Sequence, residues 1–166
     1  MRLSQRITWM AGAIALAVMT LAPRSAGAKG GGRYYLPHGA AEKIVTATRS
    51  GSAQREILLM TQAVAVKETG PAATIKKFGE VYSFSPRFIA VHRDEPVKFT
   101  FWNLQPDDDH DFALLDRGWN VLMFEDLPPL TKTSYVLTFH REGLYDFKCL
   151  QHQPEMSGQI LVLPPR

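Results

Sequence analysis

The chain has 166 residues, with 19 Lys or Arg against 16 Asp or Glu, a formal net charge of +3 and one cysteine. A single cysteine excludes an intramolecular disulfide framework. The basic excess sits entirely in residues 1–28, which carry Arg2, Arg6 and Arg24 and no acid; beyond them 16 basic face 16 acidic residues, so charge gives no support for nucleic-acid binding.

The N-terminus reads as an export signal. Met1 to Arg6 is basic, Ile7 to Ala22 is an almost unbroken apolar run shorter than a typical span of about 20 residues, and Ala26-Gly27-Ala28 forms a small-x-small cleavage site. This pattern predicts a signal peptide over 1–28, a mature chain from Lys29, a periplasmic location and no stable membrane insertion after cleavage. The remaining 138 residues are enough for one domain whose core does not depend on disulfides.

Residues 29–72 read as an N-terminal extension with room for one extra strand. Lys29 to Ser52 is rich in Gly, Ala, Ser and Thr without sustained periodicity, which predicts a mobile or loosely packed arm. Glu56 to Lys67 fits a strand or a short helix, and Val64, Val66 and the Gly70-Pro71 break favour the strand.

From Ala73 onward the pattern is β throughout, and residues 73–166 read as one domain. Expected strands are Thr74 to Tyr82, Phe88 to His92, Pro96 to Asn103, Asp111 to Leu115, Val121 to Glu125, Lys132 to His140, Leu144 to Cys149 and Gly158 to Leu163. Many short strands separated by turn residues predict an all-β fold, a Greek-key sandwich or barrel. Alternation places Phe99 and Phe101 on one face of their strand, opposite Lys98 and Thr100. It also places Tyr145, Phe147 and Cys149 on a common inward face.

That placement bears on the stretch from Tyr145 to Gly158. Cys149, His152 and Met156 bring a thiolate, an imidazole and a thioether within eight residues, and His110 lies 39 residues before the cysteine. Two imidazoles, one thiolate and a weak thioether form a donor set suited to copper. A lone thiol in an oxidising compartment is buried, paired with another chain or metal-bound, and these neighbours favour metal. Glu155, beside Met156, offers a harder oxygen donor as the alternative to the thioether. His38, His92 and His140 stand outside the pattern and read as solvent-facing. Asp107, Asp108, Asp109 and Asp111 around His110 read either as a solvated turn or as an acidic patch that tunes the site or steers a basic partner.

The pattern Tyr-x-Phe-x-Cys-x-x-His-x-x-x-Met-x-Gly, with His110 upstream, resembles the cupredoxins, the blue copper proteins typified by plastocyanin and azurin. The resemblance covers about Ala73 to Pro164. It implies a cupredoxin-type β-sandwich with one copper ion held by His110, Cys149 and His152 and an axial Met156. Three residues separate His152 from Met156, within the range of loop lengths in that family. What ligands need makes backbone amides near Asn103 and Asp111 candidates to tie the His110 loop to the Cys149 loop, and the resemblance implies that electrons leave by the edge of His152 beside Leu150 and Pro154.

The function this implies is one-electron transport between redox proteins such as a cytochrome or a copper enzyme, without catalysis. Two alternatives remain open from sequence. One is a red copper site with small-ligand redox chemistry, on a more distant resemblance to nitrosocyanin. The other is copper delivery or storage, which calls for more Met and His than Met60, Met123 and Met156 supply.

Overall fold

The computed structural model describes residues 32–166; the expected leader over 1–28, its cleavage site and residues 29–31 lie outside the described residues. No helix among the described residues is long and apolar enough to cross a membrane. In chain order the first strands are β1 (Tyr34–Tyr35), β2 (Val45–Thr48) and β3 (Arg55–Ala65), followed by helix α1 (Ala72–Phe78) and strand β4 (Val81–Ser85). Then come β5 (Phe88–His92), β6 (Val97–Trp102), β7 (His110–Leu115), β8 (Val121–Leu127), β9 (Lys132–Phe139), β10 (Gly143–Lys148) and β11 (Ser157–Leu163).

The strands form two sheets, β1-β8-β7-β10-β11-β5 and β2-β9-β6-β3-β4. The chain passes between the sheets from β1 to β2, β4 to β5, β5 to β6, β6 to β7, β8 to β9 and β9 to β10, so most neighbours within a sheet are distant in sequence. This is the Greek-key sandwich predicted from strand spacing, and among the described residues it is not a closed barrel. Pairing is antiparallel except for β3 with β6 and β5 with β11.

Seven aromatic side chains between the sheets, Phe84, Phe99, Phe101, Phe112, Tyr135, Phe139 and Phe147, are at most 1% exposed. Phe112 anchors a chain of ring contacts, with Phe101 at 4.6 Å and Phe147 at 5.5 Å, and Phe147 meets Phe84 at 5.5 Å. Such pairs contribute about 0.5–1.5 kcal/mol each beyond the area they bury. Phe99, Phe101, Tyr145, Phe147 and Cys149 all face inward, as alternation requires, but Thr100 is buried as well. Its hydroxyl donates to the Glu56 carboxylate on the outer face of the neighbouring strand, which satisfies it there.

Three sequence expectations are corrected. Thr74 to Tyr82 is not one strand: residues 72–78 are helical and β4 begins only at Val81. Pro71 has φ −61° just before the helix, Ala and Lys favour it, and Gly79 at φ 77° closes it by donating its N–H to Ile75 O at 2.9 Å. The Lys29 to Ser52 arm is not loose over its described part. Tyr34 and Tyr35 pair with β8, Val45 to Thr48 pair with β9, and Val45 is fully buried. Short edge strands carry too few residues to show a periodicity, which is why composition alone misreads them. Glu56 to Lys67 does form a strand, β3, held between β6 and β4.

Finally, His92 and His140 are half-buried rather than solvent-facing. His92 Nδ1 meets Pro164 O at 2.6 Å, and His140 bridges Asp94 Oδ1 at 2.8 Å and Thr46 Oγ1 at 3.3 Å. His38 is exposed, its ring edge-on to Tyr35.

Candidate metal centre

Two neighbouring strands of one sheet bring the separated halves of the motif together. His110 is the first residue of β7, and Cys149 directly follows β10; the pairing of Phe147 with Leu114 and of Lys148 with Ala113 sets the two strand ends side by side. His110 is 1% exposed and Cys149 0%. The cysteine's inward position follows from the Tyr145, Phe147, Cys149 alternation, and its sulfur sits at the end of the aromatic layer.

The loop from Cys149 to Met156 is closed by its own hydrogen bonds. Cys149 N–H donates to Met156 O at 3.0 Å, Met156 N–H donates to His152 O at 3.0 Å, and the Gln153 side-chain amide donates to both Cys149 O and Met156 O. Gly158 lets the returning chain pack on β10: a Cβ there would lie 2.3 Å from the Phe147 ring and 2.4 Å from Arg87 O.

This fold of the loop places His152 over the cysteine. His110 Nδ1 and His152 Nδ1 are 3.1 Å apart, Cys149 Sγ and His152 Nδ1 are 3.5 Å apart, and one donor atom from each residue lies within 4.8 Å of the others. Donors about 2.0–2.3 Å from a shared ion stand roughly 3–4 Å from one another, a range that holds the His110–His152 and Cys149–His152 separations. Met156 is fully buried at the loop's return, whereas Glu155 is exposed and is not one of the three converging residues.

The electrostatics point the same way. Burial, with His152 beside it, lowers the His110 pKa to about 4, so the ring is neutral at ordinary pH. Its other nitrogen, Nε2, is buried with no hydrogen-bond partner. Burial pushes the Cys149 thiol above its usual range, against the opposing effect of backbone amides of Asp111, Gln151 and His152. Two imidazole nitrogens facing each other beside a desolvated sulfur form a site whose buried groups gain most from a cation among them.

Of the two expected ties between the His110 loop and the Cys149 loop, the one at Asp111 is present, through its side chain, whereas Asn103 makes no hydrogen bond to the Cys149 loop. The Asp111 carboxylate, 2% exposed, accepts from Leu150 N–H at 2.7 Å. The Asn103 amide donates to Asp108 O and Leu127 O, both at 2.8 Å, while its oxygen accepts from Thr61 Oγ1 and Gln105 N–H. The acidic cluster divides accordingly. Asp107 and Asp109 are exposed, Asp111 is a buried tie, and Asp108 accepts from the Tyr82 hydroxyl.

Tyr82 is the neighbour that sequence reasoning missed. It lies on β4 in the opposite sheet, 1% exposed, with its ring 4.8 Å from both the His110 and the His152 ring. No local signal marks it, since only the packing of the sheets brings it to the histidines. Around His152, which is half-buried, Leu150 and Pro154 are exposed.

No family model and no curated protein sequence matches this chain. Among solved structures, a multicopper oxidase superposes with TM-score 0.52 and 14% identity, covering 68% of this chain and 45% of its own. A multicopper oxidase from Campylobacter jejuni, a metallo-oxidase, superposes with TM-score 0.51 and 11% identity, covering 70% of this chain and 31% of its own. Auracyanin B gives TM-score 0.49 and 12% identity, covering 74% and 99%. The chain spans less than half the length of either oxidase. At these identities the likeness shows the fold alone: the chain has a cupredoxin-like fold.

Proposed function

We propose that this protein is an exported mononuclear copper protein that carries single electrons between redox partners. The observation that carries the reading is the convergence of His110 Nδ1, His152 Nδ1 and Cys149 Sγ in a buried site. Met156 would be the fourth residue to hold the ion; its burial beside the exposed Glu155 supports thioether over carboxylate. The copper ion supplies a Cu(I)/Cu(II) couple, and the soft, neutral Met156 sulfur favours Cu(I).

The protein's part is to hold the donors and exclude water. His110 and Cys149 are fixed at the ends of adjacent paired strands, and Asp111 joins the residues that follow them. Burial of His110, Cys149 and Met156 leaves no open approach for a substrate through those three side chains, which favours a carrier over an enzyme. His152, half-buried between exposed Leu150 and Pro154, is the donor nearest solvent, so electrons enter and leave there. The partners are redox proteins such as a cytochrome or a copper enzyme.

The leader over 1–28 directs export to the periplasm, and the copper-binding unit is built on residues 73–166. Strands β2 and β3 of the 29–72 segment complete its second sheet. One optical and paramagnetic-resonance spectrum of the copper-loaded protein tests the reading. An intense visible thiolate-to-copper band, unaltered by azide, is expected; a weak band or one that azide displaces would sink it.

A further inference from the structure

Tyr82, His110 and His152 form a triangle of rings. Each pair of centroids is 4.8 Å apart, and the interplanar angles are 67°, 60° and 62°. These separations and tilts fall in the favourable edge-to-face range for aromatic rings. The three residues come from three different places: the edge strand β4 of one sheet, the start of β7 in the other, and the Cys149–Met156 loop.

The tyrosine is held from behind. Its hydroxyl donates to Asp108 Oδ2, and the backbone carbonyl of Asp108 accepts from the buried Asn103 amide. Swinging the ring away would take the hydroxyl of a residue only 1% exposed from its partner, a penalised change. His110 is fixed by its place on a paired strand, but His152 sits on a loop and is half-buried. The ring contacts of His152 are with Tyr82 and His110, and its Nδ1 meets Cys149. Tyr82 is therefore the wall on the side of His152 that strand pairing does not hold.

We propose that Tyr82, anchored through Asp108, is a positioning residue that keeps the two imidazoles at one spacing whether or not a metal lies between them. The idea rests on the copper-carrier reading for its consequence: a donor set that does not relax between oxidation states exchanges electrons faster and releases its ion more slowly. It differs from a core-packing role because it acts on His152 through ring contact and hydroxyl anchoring, and overall stability need not follow.

The test uses the full chain with Tyr82→Phe, Tyr82→Leu and Asp108→Asn. In the metal-free protein, NMR relaxation of the His152 ring is expected to show at least threefold greater disorder for Tyr82→Leu, with His110 unchanged. In the copper protein, electron self-exchange is expected to slow at least tenfold and copper loss to a chelator to speed up at least tenfold. Tyr82→Phe keeps the ring and falls between wild type and Tyr82→Leu, as does Asp108→Asn. A Tyr82→Leu protein with His152 order, self-exchange and copper loss all within twofold of wild type would overturn the proposal. Should Tyr82→Leu not fold, graded effects of Tyr82→Phe and Asp108→Asn on His152 order support it and their absence overturns it. A wild-type protein that lacks the thiolate band refutes the carrier reading alone, because the metal-free relaxation measurement still decides the role of Tyr82.

Discussion

The Asp111 carboxylate accepts the Leu150 N–H at 2.7 Å, joining the residue after one imidazole to the residue after the thiol. Asp111 is buried, and burial raises its pKa, partly offset by its hydrogen bonds to Leu150, Gln151 and Cys149. For a carboxyl whose folded pKa is raised, the folded state binds more protons than the unfolded one, so stability is lost as pH rises from the unfolded value through the folded one.

Two substitutions separate the tie from the charge. Asp111→Ala removes the carboxylate that accepts the Leu150 N–H and is expected to destabilise by about 1–3 kcal/mol. Asp111→Asn keeps an accepting oxygen and removes the buried charge, so above the folded pKa it is expected to match or exceed wild-type stability. Urea denaturation of the metal-free proteins at neutral pH checks both. If Asp111→Asn falls as far as Asp111→Ala, the hydrogen bond is not what the residue contributes.

A second prediction concerns acid. His110 is neutral when folded down to about pH 4, whereas an unfolded histidine titrates near 6.5. Between these values the unfolded chain binds a proton that the folded one refuses, so stability of the metal-free protein falls as pH drops from about 6.5 to about 4 and His110 adds no further slope below that. A shift of this size corresponds to about 3 kcal/mol. Comparing wild type with His110→Gln by denaturation at pH 7.5 and 4.5 isolates this share from the other histidines. Equal pH dependence in the two proteins would remove His110 as the cause.

Much of this site is visible in the sequence because it is written in short-range order. The alternation of Tyr145, Phe147 and Cys149 gives the inward sulfur, and the spacing to His152 and Met156 fits one loop; both hold in the structure. What sequence order does not carry is contact between sheets. Tyr82 meets the histidines only because β4 of one sheet packs over the end of β7 in the other, and nothing local announces it. The helix over 72–78 is hidden in the sequence for a related reason. Thr74 and Ile75 suggest a strand, but the flanking Pro71 and Gly79 set the ends of a helical turn with no buried residue, where caps rather than burial decide. The edge strands β1 and β2 leave no pattern in the sequence because two to four residues carry no period.

Gly158 offers a third prediction. A Cβ at this position would fall 2.3 Å from Phe147 Cζ and 2.4 Å from the Arg87 carbonyl oxygen, and the second obstacle is backbone that has little freedom to retreat. Gly158→Ala is expected to destabilise by roughly 1–3 kcal/mol through overpacking. It should also push the Cys149–Met156 loop outward, so the thiolate band of the copper form should shift or weaken. A variant with wild-type denaturation midpoint and unchanged spectrum would contradict the tight packing of that return.

The choice between Met156 and Glu155 as the fourth donor gives the last prediction. Met156 is fully buried where the loop closes, and Glu155 is exposed beside it. Glu155→Gln is therefore expected to leave spectrum, potential and stability near wild type, because it changes a solvated carboxylate. Met156→Ala removes buried thioether and leaves a cavity, with an expected loss of about 2–5 kcal/mol in the metal-free protein. Met156→Leu keeps most of the volume, so it loses far less stability, yet it would remove the proposed thioether donor and should change the reduction potential and the intensity of the visible band. The two Met156 variants together separate packing from ligation: a Met156→Leu protein with wild-type potential and spectrum makes the residue core filling only. A Glu155→Gln protein whose spectrum changes would move the axial role to the carboxylate and reopen the red-copper alternative.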